Sequence, residues 1–151
     1  MNAPTPVAPA THPFDPRSWE VTRADGASRS LMTVLAVVAV SAVYGGIGLM
    51  TTGIGMSQDM LAGTPFSSWT LPGLALLAFV AVPQAVAAGL VAVCHRWAGL
   101  VAIVAGAGLV GWIGAEVLLV GQYFVLQPVI VVLGLVEIGL AAWWCGRDGT
   151  A

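Results

Sequence analysis

Four long apolar runs, separated by short polar or turn-rich stretches, dominate the chain from residue 31 onward. They cover about 31–50, 72–93, 98–120 and 128–145. Each is about 20 residues long, the length an α-helix needs to cross the hydrocarbon core of a bilayer. The first run shows no one-sided apolar stripe, as expected where lipid and other helices surround a span. A lipid-exposed segment must satisfy its backbone N–H and C=O groups internally, so runs of this length predict helices. The expected fold is all-α: a polytopic membrane protein, an antiparallel bundle of four transmembrane helices with N-terminus and C-terminus both cytoplasmic.

Composition agrees. Of 151 residues, 58% are hydrophobic and 8% charged, and the mean hydropathy of +0.93 lies beyond what a soluble domain exposes to water. The net charge of −2 comes from scattered groups with no basic run, which argues against nucleic-acid binding and against electrostatic anchoring to anionic headgroups. Before the first run, residues 1–30 carry Pro4, Pro6, Pro9, Pro13 and Pro16 among small and mixed-charge residues. They have too little apolar surface to fold alone and read as a disordered cytoplasmic arm, and the continuing spans argue against a cleaved secretory signal. Residues 146–151 read as a short cytoplasmic tail.

Punctuation refines the spans. Residues 51–71 form the longest loop between runs. Pro72 suits the first turn of the second span, with Ser68 or Thr70 as its possible cap. Pro83 and Gln84 lie well inside that span, which predicts a kink near 78–83 whose freed carbonyl, near Phe79, needs a protein neighbour. In the third span Ala107, Gly111 and Ala115 repeat every fourth residue, a row that admits a second backbone. Orientation follows from the five arginines: Arg17, Arg23 and Arg29 precede the first span, Arg96 joins the second to the third, and Arg147 follows the fourth. All fall on one side, which is therefore cytoplasmic, and Trp97, Trp143 and Trp144 become interfacial anchors on that face.

The stretch Gly63-Thr64-Pro65-Phe66-Ser67-Ser68-Trp69 leading to Pro72-Gly73, then Trp112-Ile113-Gly114-Ala115-Glu116, then Leu126-Gln127-Pro128, resembles a group of uncharacterised four-helix bacterial membrane proteins. The likeness covers roughly 31–144. It implies a multi-pass protein of the bacterial cell membrane and no activity. DoxX-like families are similar in architecture only, which lends no mechanism.

Polar groups inside the spans are few. Glu116 and Glu137 are candidate functional acids, because a carboxylate is costly in lipid; the competing reading is a protonated, hydrogen-bonded structural acid. Counted along the helices, Glu116 lies roughly 7 Å from the outer end of the third span, near Gln127 at the start of the fourth. Gln84 and Glu137 both lie roughly 14 to 18 Å deep and form a second pair, better read as glue between helices. Of the two acids, Glu116 is expected to face the bundle interior beside the small-residue row and to be the one that matters for function. Cys94 and Cys145 lie at the cytoplasmic ends, where no disulfide is expected, and Cys94 with His95 falls short of a metal site. His12 has no evident partner. No nucleophile elbow, zinc-protease motif or phosphate loop appears, so neither an enzyme nor a cofactor is expected. The aromatic loop is either a lid over Glu116 or, preferably, an interfacial anchor.

Two functions survive. One is a non-enzymatic accessory or subunit whose lipid-buried faces bind partner helices or a second copy. The other is a small proton-linked transporter using Glu116 or, less readily, Glu137. That alternative resembles small multidrug-resistance proteins in size, but those carry their essential Glu in the first helix, and 31–50 here has no ionisable group beyond Tyr44.

Overall fold

Apolar runs of this length can pair their backbone groups only as helices, and the computed structural model is helical throughout its regular structure. It describes residues 26–62, 64–121 and 125–148. Most of the arm, with His12, Arg17 and Arg23, and residues 149–151 of the tail therefore lie outside the described residues. Helix α1 spans Gly26–Thr52, α2 Thr70–Leu76, α3 Val82–Ala92, α4 Ala98–Val120 and α5 Leu126–Asp148, with no strand among the described residues. A π-helical turn, Leu77–Ala81, fuses α2 and α3 into one rod. The result is four helices long and apolar enough to cross a membrane.

Helix α1 outruns its apolar core at both ends. The residues 26–30 assigned to the arm are helical, and Ser30 and Thr33 turn their hydroxyls back onto the carbonyls of Gly26 and Arg29, each at 2.9 Å. Thr51 and Thr52 do the same onto Ile47 and Gly48. A hydroxyl bonded to the carbonyl four residues back costs a helix little. Beyond Thr52 the chain passes through Gly53, Ile54 and Gly55, all at positive φ (64°, 52° and 73°). This left-handed passage is cheap for the glycines and strained for the branched Ile54. It folds Gly53 under the Trp69 ring, whose Cδ1 lies 3.1 Å from where a β-carbon on Gly53 would sit. Neither Ser68 nor Thr70 caps the second span: Trp69 occupies that position and supplies no side-chain cap.

Pro83 cannot donate to the carbonyl of Phe79. The strain appears as the widened turn at Leu77–Ala81, where Val82 N–H bonds the Leu77 carbonyl five residues back. The Phe79 carbonyl oxygen stands beside α4, 3.9 Å from where a β-carbon on Gly108 would sit. At the other end of the rod, His95 N–H bonds the Leu90 carbonyl (2.9 Å) and Cys94 N–H that of Val91 (3.1 Å). This is a Schellman stop with Cys94, at φ 48°, where glycine is usual.

Two apolar clusters hold the rods together. Leu31, Leu35, Ala87, Val91, Ala98, Ala102, Ala141 and Trp144 pack near the end that carries the 93–97 link. Val38, Ala42, Val80, Ala81 and Leu109 form a second cluster further along. Glycine pairs bring backbones into contact. Gly46 of α1 faces Gly73 of α2, and Gly106 of α4 faces Gly134 of α5; a β-carbon on Gly73 would lie 2.6 Å from the Gly46 carbonyl oxygen, and one on Gly106 2.8 Å from that of Gly134.

Two expectations are corrected here. Trp144 is not an interfacial anchor: it is buried in the first cluster, whereas Trp143 and Trp97 are exposed. Neighbours on a helix point about 100° apart, and here Trp143 turns outward while Trp144 falls on the face that packs with Leu31 and Leu35. Nor does the row Ala107, Gly111, Ala115 pack inside the bundle, for all three are exposed and a β-carbon on Gly111 would meet nothing within 4 Å. The face of α4 that packs is Ala98, Ala102, Ala105, Leu109 and Ile113.

Candidate functional site

The deepest polar feature is a pair of side chains between α3 and α5. Gln84 Nε2 donates a hydrogen bond to Glu137 Oε2 across 2.8 Å, and both residues are 0% exposed. Glu137 stands eleven residues from either end of α5, about 16 Å along its axis. Gln84 sits one residue after Pro83, so the chain that interrupts the rod also sets the position of its amide. Along α3 it falls between Ala81 of the second cluster and Ala87 of the first. Glu137 is likewise flanked by Leu133, which packs on the second cluster, and Ala141 of the first. The pair therefore fills the seam between the two apolar clusters. Gly106 makes room on α4, where an added β-carbon would approach the Glu137 β-carbon to 3.2 Å.

One bond does not satisfy these groups. Gln84 Oε1 and Glu137 Oε1 are both buried without a hydrogen-bond partner among the described residues. Buried oxygens left this way each cost about 1–3 kcal/mol. The depth argument from sequence had paired these residues as glue; the bond is there, and two unsatisfied oxygens accompany it.

Glu116 sits elsewhere. It lies four residues from the end of α4, half-buried, with Trp112 one turn before it packed on the second cluster. Gln127 is buried in the first turn of α5. Gln84 bonds to Glu137 across the spans, and no such bond joins Glu116 to Gln127 among the described residues. The loop carries its own orphan: Trp69 Nε1 is buried against Gly53 without a partner among the described residues. Asp59 is exposed there, while Phe66 and Thr64 are half-buried, with Thr64 Oγ1 bonded to the Leu61 carbonyl at 2.8 Å.

Among the described residues no three His, Cys, Asp or Glu side chains come together as a metal site. Cys94 and Cys145 are free thiols. The Cys145 sulfur instead lies against Gly99, close enough that a side chain there would displace it. In the 93–97 link the Arg96 guanidinium lies 5.2 Å from the Trp97 ring centroid, a cation–π contact at the surface. Compared with known protein families, with characterised proteins and with solved structures, the chain matches none.

Proposed function

We infer that this chain is a non-enzymatic multi-pass subunit or accessory of a cell membrane, binding helices of a partner protein or of a second copy through the outward face of α4. The observation that supports this reading is the row Ala107, Gly111, Ala115, which is exposed although it has the spacing that lets helices approach closely. Van der Waals contact between small residues is a main attraction helices have in lipid, where burial of apolar surface offers none. Introducing leucine at Gly111 should keep the bundle's thermal stability and abolish co-purification or self-association in mild detergent. A wild-type protein that purifies as a lone monomer, with Gly111→Leu unchanged, would sink the reading.

The four-helix bacterial family suggested by the Gly63–Trp69 and Trp112–Glu116 motifs is part of the same proposal, as is the bacterial plasma membrane as its location. So is the orientation, with both termini cytoplasmic. Arg29 opens α1 and Arg96 lies in the 93–97 link, both exposed. The Arg96–Trp97 pair suits the membrane–water boundary. Reporter fusions after Arg96 and Arg147 are expected to read cytoplasm, and fusions near Asp59 or Gln122 the outside. A cytoplasmic signal from the Asp59 loop reverses the assignment. A small proton-linked carrier is the second reading, with half-buried Glu116 as its acid; what favours it is that this group lies only about 6 Å from the end of α4, within reach of water.

A further inference from the structure

The Gln84–Glu137 pair has one donor aimed at three acceptors. Gln84 Nε2 serves Glu137 Oε2, while Gln84 Oε1 and Glu137 Oε1 have no donor among the described residues. An ionised carboxylate can only accept, and the one bond that the amide nitrogen makes to it reaches Oε2, so Glu137 Oε1 and Gln84 Oε1 are then left as two acceptors without a donor. Turning the amide over exchanges its ends without supplying the missing donor. A protonated carboxyl does supply it. The acid O–H then donates to the amide oxygen while the amide N–H donates to the acid carbonyl, closing a ring of two bonds.

We propose that Glu137 is a proton-binding site in the middle of the bundle, its proton held on Oε1 and donated to Gln84 Oε1, so that the proton latches α3 to α5. Release sends that proton to water and leaves both Oε1 atoms without a donor, which unlatches the helices. The latch stands where α3 can move: Gln84 follows Pro83 and the π-helical turn at Leu77–Ala81, a segment already short of one backbone bond. Among the described residues the other ionisable groups stand apart. Glu116 is ten residues, about 15 Å, along α4 from Gly106, the neighbour of Glu137. Tyr44 of α1 is exposed; Cys94 lies in the 93–97 link, Cys145 packs on Gly99 beside that link, and Arg29 and Arg96 are exposed.

Infrared spectroscopy of the purified full chain in detergent at pH 7 tests this. The carbonyl stretch of a protonated carboxylic acid is expected in the wild type, retained in Glu116→Gln and lost in Glu137→Gln. The last variant places an N–H where the acid has its O–H and so keeps both bonds. Should Glu137→Gln fail to fold, the Glu116→Gln chain grown with carboxyl-labelled glutamate reads the site without touching it, since Glu20 and Glu137 are then its remaining glutamates. A labelled acid band there supports the site. Identical acid-band spectra for wild type and Glu137→Gln overturn it. A band that appears only when sodium is replaced by a bulky organic cation also overturns it, because a metal ion then holds the two oxygens.

Discussion

Gly73→Ala and Gly106→Ala are each expected to destabilise the bundle by about 1–3 kcal/mol, while Gly111→Ala and Gly114→Ala leave its stability unchanged or slightly raised. In every case the added methyl favours the helix by up to about 1 kcal/mol, because glycine loses more backbone freedom on folding than alanine. What decides the sign is where the methyl lands. At Gly73 it falls 2.6 Å from the Gly46 carbonyl oxygen and 2.7 Å from Met50 Cγ; at Gly106 it falls 2.8 Å from the Gly134 carbonyl oxygen. Met50 can swing aside, but a carbonyl moves only with its helix, so α1 must leave α2, or α5 leave α4. At Gly111 and Gly114 nothing lies within 4 Å. Thermal unfolding in one detergent, read for all four variants, makes the comparison. If Gly73→Ala melts with Gly111→Ala, the close approach of α1 and α2 is not what holds that corner.

These contacts also mark where the sequence stops being legible. Length and apolarity find spans because a bilayer sets the length a helix needs, and each of the four runs is a helix. Depth along a helix is equally simple, which is why counting residues paired Gln84 with Glu137. Proline chemistry foretold that the second rod is interrupted, though not that the relief is a π-helical turn. Facing is another matter. In water a buried face is apolar and an exposed one polar, but here lipid and protein interior are both apolar, so Ala107, Gly111 and Ala115 look no different from Ala98, Ala102 and Ala105. The exposed row and the packed row are told apart only by what α3 and α5 place opposite them. For the same reason Gly46, Gly73, Gly106 and Gly134 do not stand out among 19 glycines. Trp144 reads as an anchor by its position at a helix end, yet its ring completes the cluster around Leu31 and Leu35.

Gln84→Leu and Glu137→Leu are each expected to cost about 1–3 kcal/mol, and the double variant less than either. Each single change removes one partner and strands the other at a site that is 0% exposed, so the remaining group bears its desolvation with no bond in return. Gln84→Leu leaves both carboxyl oxygens without the one donor they have. Glu137→Leu strands the amide, a donor and an acceptor together. Removing both partners puts two leucines of similar bulk into the seam between two apolar clusters, where they extend a continuous core, and the stranded groups are gone. The cycle therefore predicts a coupling of about 1–3 kcal/mol between two residues 53 apart in sequence. Hydrogen bonds between membrane helices often fall near the lower end of such values, because the parted helices find other partners in lipid. Glu137→Gln belongs beside these variants as the change that keeps shape and bonding, and it should melt close to the wild type. Thermal melts of the four chains decide the matter. Additive losses for the two leucine variants mean that the pair does not act as a unit, whereas a double variant more stable than either single one shows that each group is tolerated in the seam only because the other is there to bond it.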